Sequence, residues 1–181
     1  MTTPQEVLRF WFEETPASAW FRPGPDRDRA VRERFGALTD QALAGDRAAW
    51  GTSAADALAL LLVLDQFPRQ IWRNQARAFA GDGQAQALTL RALESGWVEA
   101  EPAAERRPFW LMPLMHSEDP VLQELGLPLF ERLTDARTAD YAHRHHAVIA
   151  RFGRFPHRNL ALGRPSSPEE EAFLQQPGSR F

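Results

Sequence analysis

Between Tyr141 and Pro168 the chain carries Arg144, Arg151, Arg154, Arg158 and Arg164, four of its five histidines, and no Asp or Glu. Inside this stretch lies Arg151-Phe-Gly-Arg-Phe-Pro-His-Arg-Asn159, where a glycine and a proline fix a short, stiff loop directly after a helix. Such a loop suits an anion. Guanidinium groups grip carboxylate or phosphate with two parallel hydrogen bonds, and Asn and neutral His add orientable donors. Arg154, His157, Arg158 and Asn159 are therefore candidate ligand-binding residues. The alternative is structural: these arginines would satisfy carbonyls at the helix end and pair with acids elsewhere in the fold.

Two further groups complete the set. Leu64-Asp-Gln-Phe-Pro-Arg69 closes the most apolar segment of the chain. A carboxylate on a buried stripe is costly without a cation or donor, so Asp65 requires a partner, and Arg69 or the late basic region can supply one. Met115-His-Ser-Glu-Asp-Pro120 is a polar cluster that follows an apolar piece. In it His116 and Glu118 form a candidate acid/base pair, or Ser117 a nucleophile beside His116, against a bland reading as helix capping. Neither pattern is a motif. Ser117 lacks a G-x-S-x-G elbow, and His116-x-Glu118 lacks the downstream Cys pair of the zinc deaminases. His143 and His146 share a helix face without a carboxylate ligand, so no metal or cofactor site is assigned. Trp20, in a Pro-rich loop, is a lid residue or a core plug.

Composition narrows the chemistry further. All 21 basic residues are arginine and there is no cysteine. Schiff-base lysines, the phosphate-loop lysine, thiolate nucleophiles, disulfides and Cys-ligated metals are thereby excluded. The net charge of −3 argues against a general nucleic-acid binder. The longest apolar run, Ala57 to Leu64, covers 8 residues, where a membrane span needs about 20. With no basic or apolar leader at Met1, the expectation is a cytoplasmic protein without a membrane partner.

Helix signals position these groups from end to end. Thr3-Pro4-Gln5-Glu6 is a capping box opening a helix over roughly 4–14. After a turn-rich stretch from Thr15 to Pro25, Val31, Phe35, Leu38 and Ala42 mark a second helix that ends near Gly45. Ser53 caps a third, which Pro68 interrupts, and Asp82 caps a fourth that stops at Gly96. A bent piece, 109–115, precedes a helix opened by Asp119-Pro120 and kinked at Pro128. A strong late helix runs from Thr138 to Gly153 and places His145 with Val148, Ile149 and Phe152 on one face. Ser167-Pro-Glu-Glu170 opens a last short helix. Period-2 alternation is absent, so the expectation is an all-α single domain over 1–181, with about seven to nine helices in antiparallel pairs.

The strings Leu64–Arg69, Met112-Pro-Leu-Met-His-Ser-Glu118 and Arg151–Asn159 followed by Leu162-Gly-Arg164 resemble the signatures of DUF924, a bacterial family of unknown function. The resemblance spans nearly the whole chain, from Val-Leu-x-Phe-Trp-Phe near the start to Pro-Glu-Glu-x-x-Phe-Leu near the end. It implies a fold similar to tetratricopeptide repeats, a compact superhelical stack, and it makes His145 the matching histidine of the late helix. It supplies no reaction. Two functional classes stand. In one, an uncharacterised small-molecule enzyme or binder holds a phosphate- or carboxylate-bearing metabolite, with Asp65, His116, Glu118 and His145 handling protons and Arg69, Arg154, His157, Arg158, Asn159 and Trp20 binding it. In the other, a helical scaffold uses its basic loop to dock an acidic partner peptide.

Overall fold

A computed structural model describes residues 2–22 and 24–180. Within them the regular structure is helical. Helix α1 (Pro4–Arg9) carries the expected capping box, in which Thr3 and Glu6 satisfy each other's backbone donors. It continues without a break as a π-helix over Phe10–Glu14. Helix α2 (Pro25–Leu43) lays Val31, Phe35, Leu38 and Ala42 into the core, the stripe expected from the spacing.

Helix α3 (Ala54–Leu61), capped by Ser53, is apolar on nearly every side and buried accordingly. Pro68 does not stop it. The chain passes through a π-helical turn, Leu62–Gln66, into α4 (Phe67–Ile71). The physical reason lies in the prolyl nitrogen. Pro68 has no N–H for the carbonyl four residues back, so the ladder re-registers and Phe67 N–H donates to Leu62 O instead.

Helix α5 (Asp82–Glu94) follows, and its N-cap is Gly81 rather than Asp82, because the Asp82 side chain is drawn elsewhere. A short α6 (Trp97–Ala100), not evident in the sequence pattern, precedes α7 (Arg107–Met115), α8 (Pro120–Leu133) and α9 (Ala136–Phe152). Pro113 and Pro128 both lie inside continuous helices. Asp135 caps α9, so this helix begins two residues earlier than the sequence pattern placed it, and left-handed Gly153 (φ 68°) ends it as expected. Helix α10 (Pro168–Leu174) closes the set with a second capping box.

Consecutive helices α7, α8 and α9 pack on one another, while α1, α2 and α5 cover the α3–α4 segment. The short connections between α7, α8 and α9 make these neighbours antiparallel. The core is aromatic. Trp11, Phe35, Phe67 and Trp110 are essentially inaccessible, and Trp11 meets Phe67 and Phe109 with ring centroids 5.9 and 5.7 Å apart. A smaller cluster of Val148, Ile149 and Phe155 lies beneath the loop that follows α9. No helix among the described residues is long and apolar enough to cross a membrane.

Candidate functional site

The π-turn decides where the polar residues of the third helix go. Asp65 is 2% exposed, and three donors converge on its carboxylate. His116 Nδ1 stands 2.7 Å from Oδ1, Arg69 reaches the same oxygen at 3.2 Å, and the Gln66 amide donates to Oδ2 at 2.6 Å. Burial pushes the Asp65 carboxyl up, but the Arg69 charge and the hydrogen bonds from His116 and Gln66 outweigh it and hold the group ionised. An ionised carboxylate is acceptor-only, so the His116 proton resides on Nδ1. Burial pulls His116 below the ordinary histidine value despite Asp65, which leaves the ring neutral at pH 7. Among the described residues no group hydrogen-bonds to His116 Nε2.

A second carboxylate ties the cations together. Arg69 forks onto Asp82 at 2.8 and 3.0 Å, and Arg158 Nη1 meets Asp82 Oδ2 at 3.0 Å. The other end of the Arg158 fork donates to His116 O at 2.8 Å. Its guanidinium lies over Phe79 and Phe155, 4.5 and 4.7 Å from their centroids. Burial and the neighbouring Arg69 lower Arg158 to about 10, which still leaves it charged at pH 7. This requires α5 to start hard against the π-turn. Gly81 makes that possible, since a Cβ there would collide with Leu64 O. The centre thus contains two carboxylates and two guanidiniums, balanced in charge around a neutral imidazole.

Two more histidines border it. The His145 ring lies 6.1 Å from that of His116, and its Nδ1 donates to Tyr141 O at 2.7 Å. Burial, with the Arg158 charge adding to it, lowers it well below the ordinary value. His157 is lowered to about 3 by burial and by Arg158. His145 packs edge-on to Phe155, and Phe155 lies 5.5 Å from His157.

The remaining candidates are placed differently. Glu118 accepts from Phe155 N–H at 2.7 Å and takes both ends of Arg164 at 2.7 and 2.9 Å. Its carboxyl stays below the usual range because Arg164 and Phe155 N–H outweigh burial. Arg154 forks onto Glu170 at 2.7 and 2.8 Å, and Asn159 donates to Ser166 and Glu170 while accepting from Arg164. These residues staple the loop after α9 to α10 and to the α7–α8 turn. Ser117 Oγ accepts from Asp119 N–H, a turn contact rather than a bond to His116. Trp20 packs edge-on to Phe12 and Phe109 and donates to Trp11 O, as a plug does. His143 pairs with Glu131 at the surface.

Sequence reasoning missed Gln66, Phe79, Gly81 and the role of Asp82. Gln66 stood inside the Leu64–Arg69 string beside Asp65, and Asp82 was taken for a cap. A cleft of about 280 Å³ between α9 and α10 is lined by Arg144, Val148, Arg151, Phe152, Phe173 and Gly178, none of which belongs to the polar centre.

An all-α protein with an Asp–His pair set in a buried ion-pair network is the class that fold and site define. The model of the family described as bacterial proteins of unknown function (DUF924) matches residues 7–178, and the chain belongs to that family. A solved structure of a protein of unknown function from Agrobacterium tumefaciens is similar at 32% identity, with a TM-score of 0.89 over 95% of this chain and 96% of that one. No curated protein matches.

Proposed function

We propose that the protein is a small-molecule enzyme or binder whose site is the His116 centre, taking a phosphate- or carboxylate-bearing metabolite. The observation that carries this reading is the 2.7 Å contact of Asp65 with His116 Nδ1, which leaves Nε2 with its lone pair unspent. A neutral imidazole fixed in one tautomer by a buried carboxylate is the arrangement that takes a proton from water or a hydroxyl. Asp65 orients the ring and stabilises the imidazolium that proton transfer would create. Arg69 and Arg158 supply the positive field for the anionic group of the ligand, moderated by Asp82. We assign the ligand role to Arg69 and Arg158 because they adjoin His116, through Asp65 and the His116 carbonyl, whereas Arg154, Arg164 and Asn159 gather around Glu170 and Glu118.

A thermal-shift panel of phosphates, carboxylates and nucleotides tests the proposal on wild type, Arg158→Ala and His116→Gln. A ligand at about 100 times its Kd stabilises the native state by about 2.7 kcal/mol, a rise of roughly 5–10 °C for a domain of this size. A rise in wild type that is lost in Arg158→Ala and reduced in His116→Gln supports the site. No shift with any compound, with Arg158→Ala lowering the unliganded Tm by several degrees, makes the network a structural clamp and favours a scaffold that docks acidic peptides.

A further inference from the structure

Gln66 is 8% exposed and adjacent to Asp65 in sequence. Its amide nitrogen stands 2.6 Å from Asp65 Oδ2 and 3.4 Å from the Met112 sulfur. Both neighbours are acceptors, so the amide has to present its NH₂ to them; the flipped orientation would set two lone-pair-bearing oxygens against each other. The carboxylate is therefore held at both ends, Oδ2 by Gln66 and Oδ1 by His116 and Arg69. Two consecutive side chains on a regular α-helix diverge by about 100°. Here both lie in the π-turn that Pro68 imposes, and both are buried within one network.

We infer that Gln66 is the positioning residue of the centre, the group that locks the Asp65 carboxylate so that His116 keeps its proton on Nδ1 and its basic lone pair on Nε2. The inference rests on the reading of His116 as the proton acceptor. Without the Gln66 donor, Asp65 rotates toward Arg69, the carboxylate loses its fixed aim at Nδ1, and less of its negative charge is left to stabilise the imidazolium. The His116 titration midpoint then moves down and the Nε2–H tautomer gains population.

The test is histidine ¹⁵N NMR on wild type, Gln66→Met and Gln66→Asn, with no ligand required. In wild type, His116 is expected as the Nδ1–H tautomer, with the Gln66 side-chain amide protons shifted downfield and slow to exchange. In Gln66→Met, which keeps the volume and removes the donor, the midpoint is expected to fall by about one pH unit, the worth of one hydrogen bond. The Nδ1–H share falls with it. Gln66→Asn, whose amide falls one carbon short, follows Gln66→Met. A folded Gln66→Met with the wild-type tautomer and midpoint overturns the inference. Should neither variant fold, Gln66 amide protons that exchange in wild type as freely as those of an exposed glutamine overturn it, and protected ones uphold it. Failure of the ligand panel with this tautomer result intact would strike the proposed function and leave the positioning role standing.

Discussion

Two polar clusters built from the same residue types flank the loop after α9. In the clamp, Arg154 meets Glu170 and Arg164 meets Glu118, each as a fork on a carboxylate, with Asn159 joining the two. In the centre, Arg69 and Arg158 share Asp82, while Asp65 is turned toward His116. Both clusters fork arginines onto carboxylates, Arg154 and Arg164 in the clamp and Arg69 in the centre. The centre inserts a neutral imidazole into its charge network and leaves Nε2 open. Ion pairing alone therefore does not separate the two clusters; the distinguishing feature is a titratable group oriented by the network but not consumed by it.

The contrast can be broken at its foundations by Gly81→Ala. A Cβ meeting backbone oxygen at Leu64 forces α5 away from the π-turn and removes Asp82 from both guanidiniums. The expected loss is about 4 kcal/mol, read as a drop in Tm of roughly 8–16 °C. Next comes Arg154→Met in the clamp, which removes the fork on Glu170 and leaves that carboxylate to Asn159 and the Ser167 N–H. Denaturant unfolding should show a smaller loss than Gly81→Ala, with ligand response at the centre retained. If that response vanishes, the two clusters act as one and the distinction drawn above is void.

Acid sharpens the comparison. His116, His145 and His157 all sit below the ordinary value in the folded state. In the unfolded chain they take up protons near pH 6.5, which the folded state resists. The unfolded state therefore binds more protons in this window, and stability, fully present above about pH 6.5, falls as the pH drops toward the folded values. A Tm profile that is flat from pH 7 to 5 would contradict this. Weaker in stability is His116→Gln, expected to cost about 1 kcal/mol because Gln66 and Arg69 still serve Asp65, while removing the ligand response. Smallest of all, His143→Ala breaks a surface pair whose side chains are 50% and 55% exposed and should change chemical stability by less than about 0.5 kcal/mol.

Much of the framework was legible because it is local. Capping boxes at Thr3 and Ser167, the Ser53 cap and the glycine stop at Gly153 depend on residues within a few positions of each other. The apolar stripe of α2 follows from helical spacing in the same way. The requirement that buried Asp65 have a partner was also evident, since burial of an unpaired carboxylate is forbidden by its desolvation cost. The choice of partner was not. Nothing in the chain indicates that His116, 51 positions away, would bond it, or that Asp82 would meet Arg158, 76 positions away.

Composition, periodicity and caps by themselves determined an all-α chain, its helix ends to within a few residues, and the three segments that carry its polar chemistry, because each of these is set by neighbours along the backbone. Only the tertiary structure divided those segments between a clamp and a centre. It tied Arg154 and Asn159 to Glu170 and Glu118 to Arg164, and gathered Asp65, Gln66, Arg69, Asp82 and Arg158 around the His116 imidazole. That division follows from which helices can approach closely. The approach is governed by the missing prolyl N–H at 68, which shifts the register of one helix, and the missing side chain at Gly81, which lets another rest against it.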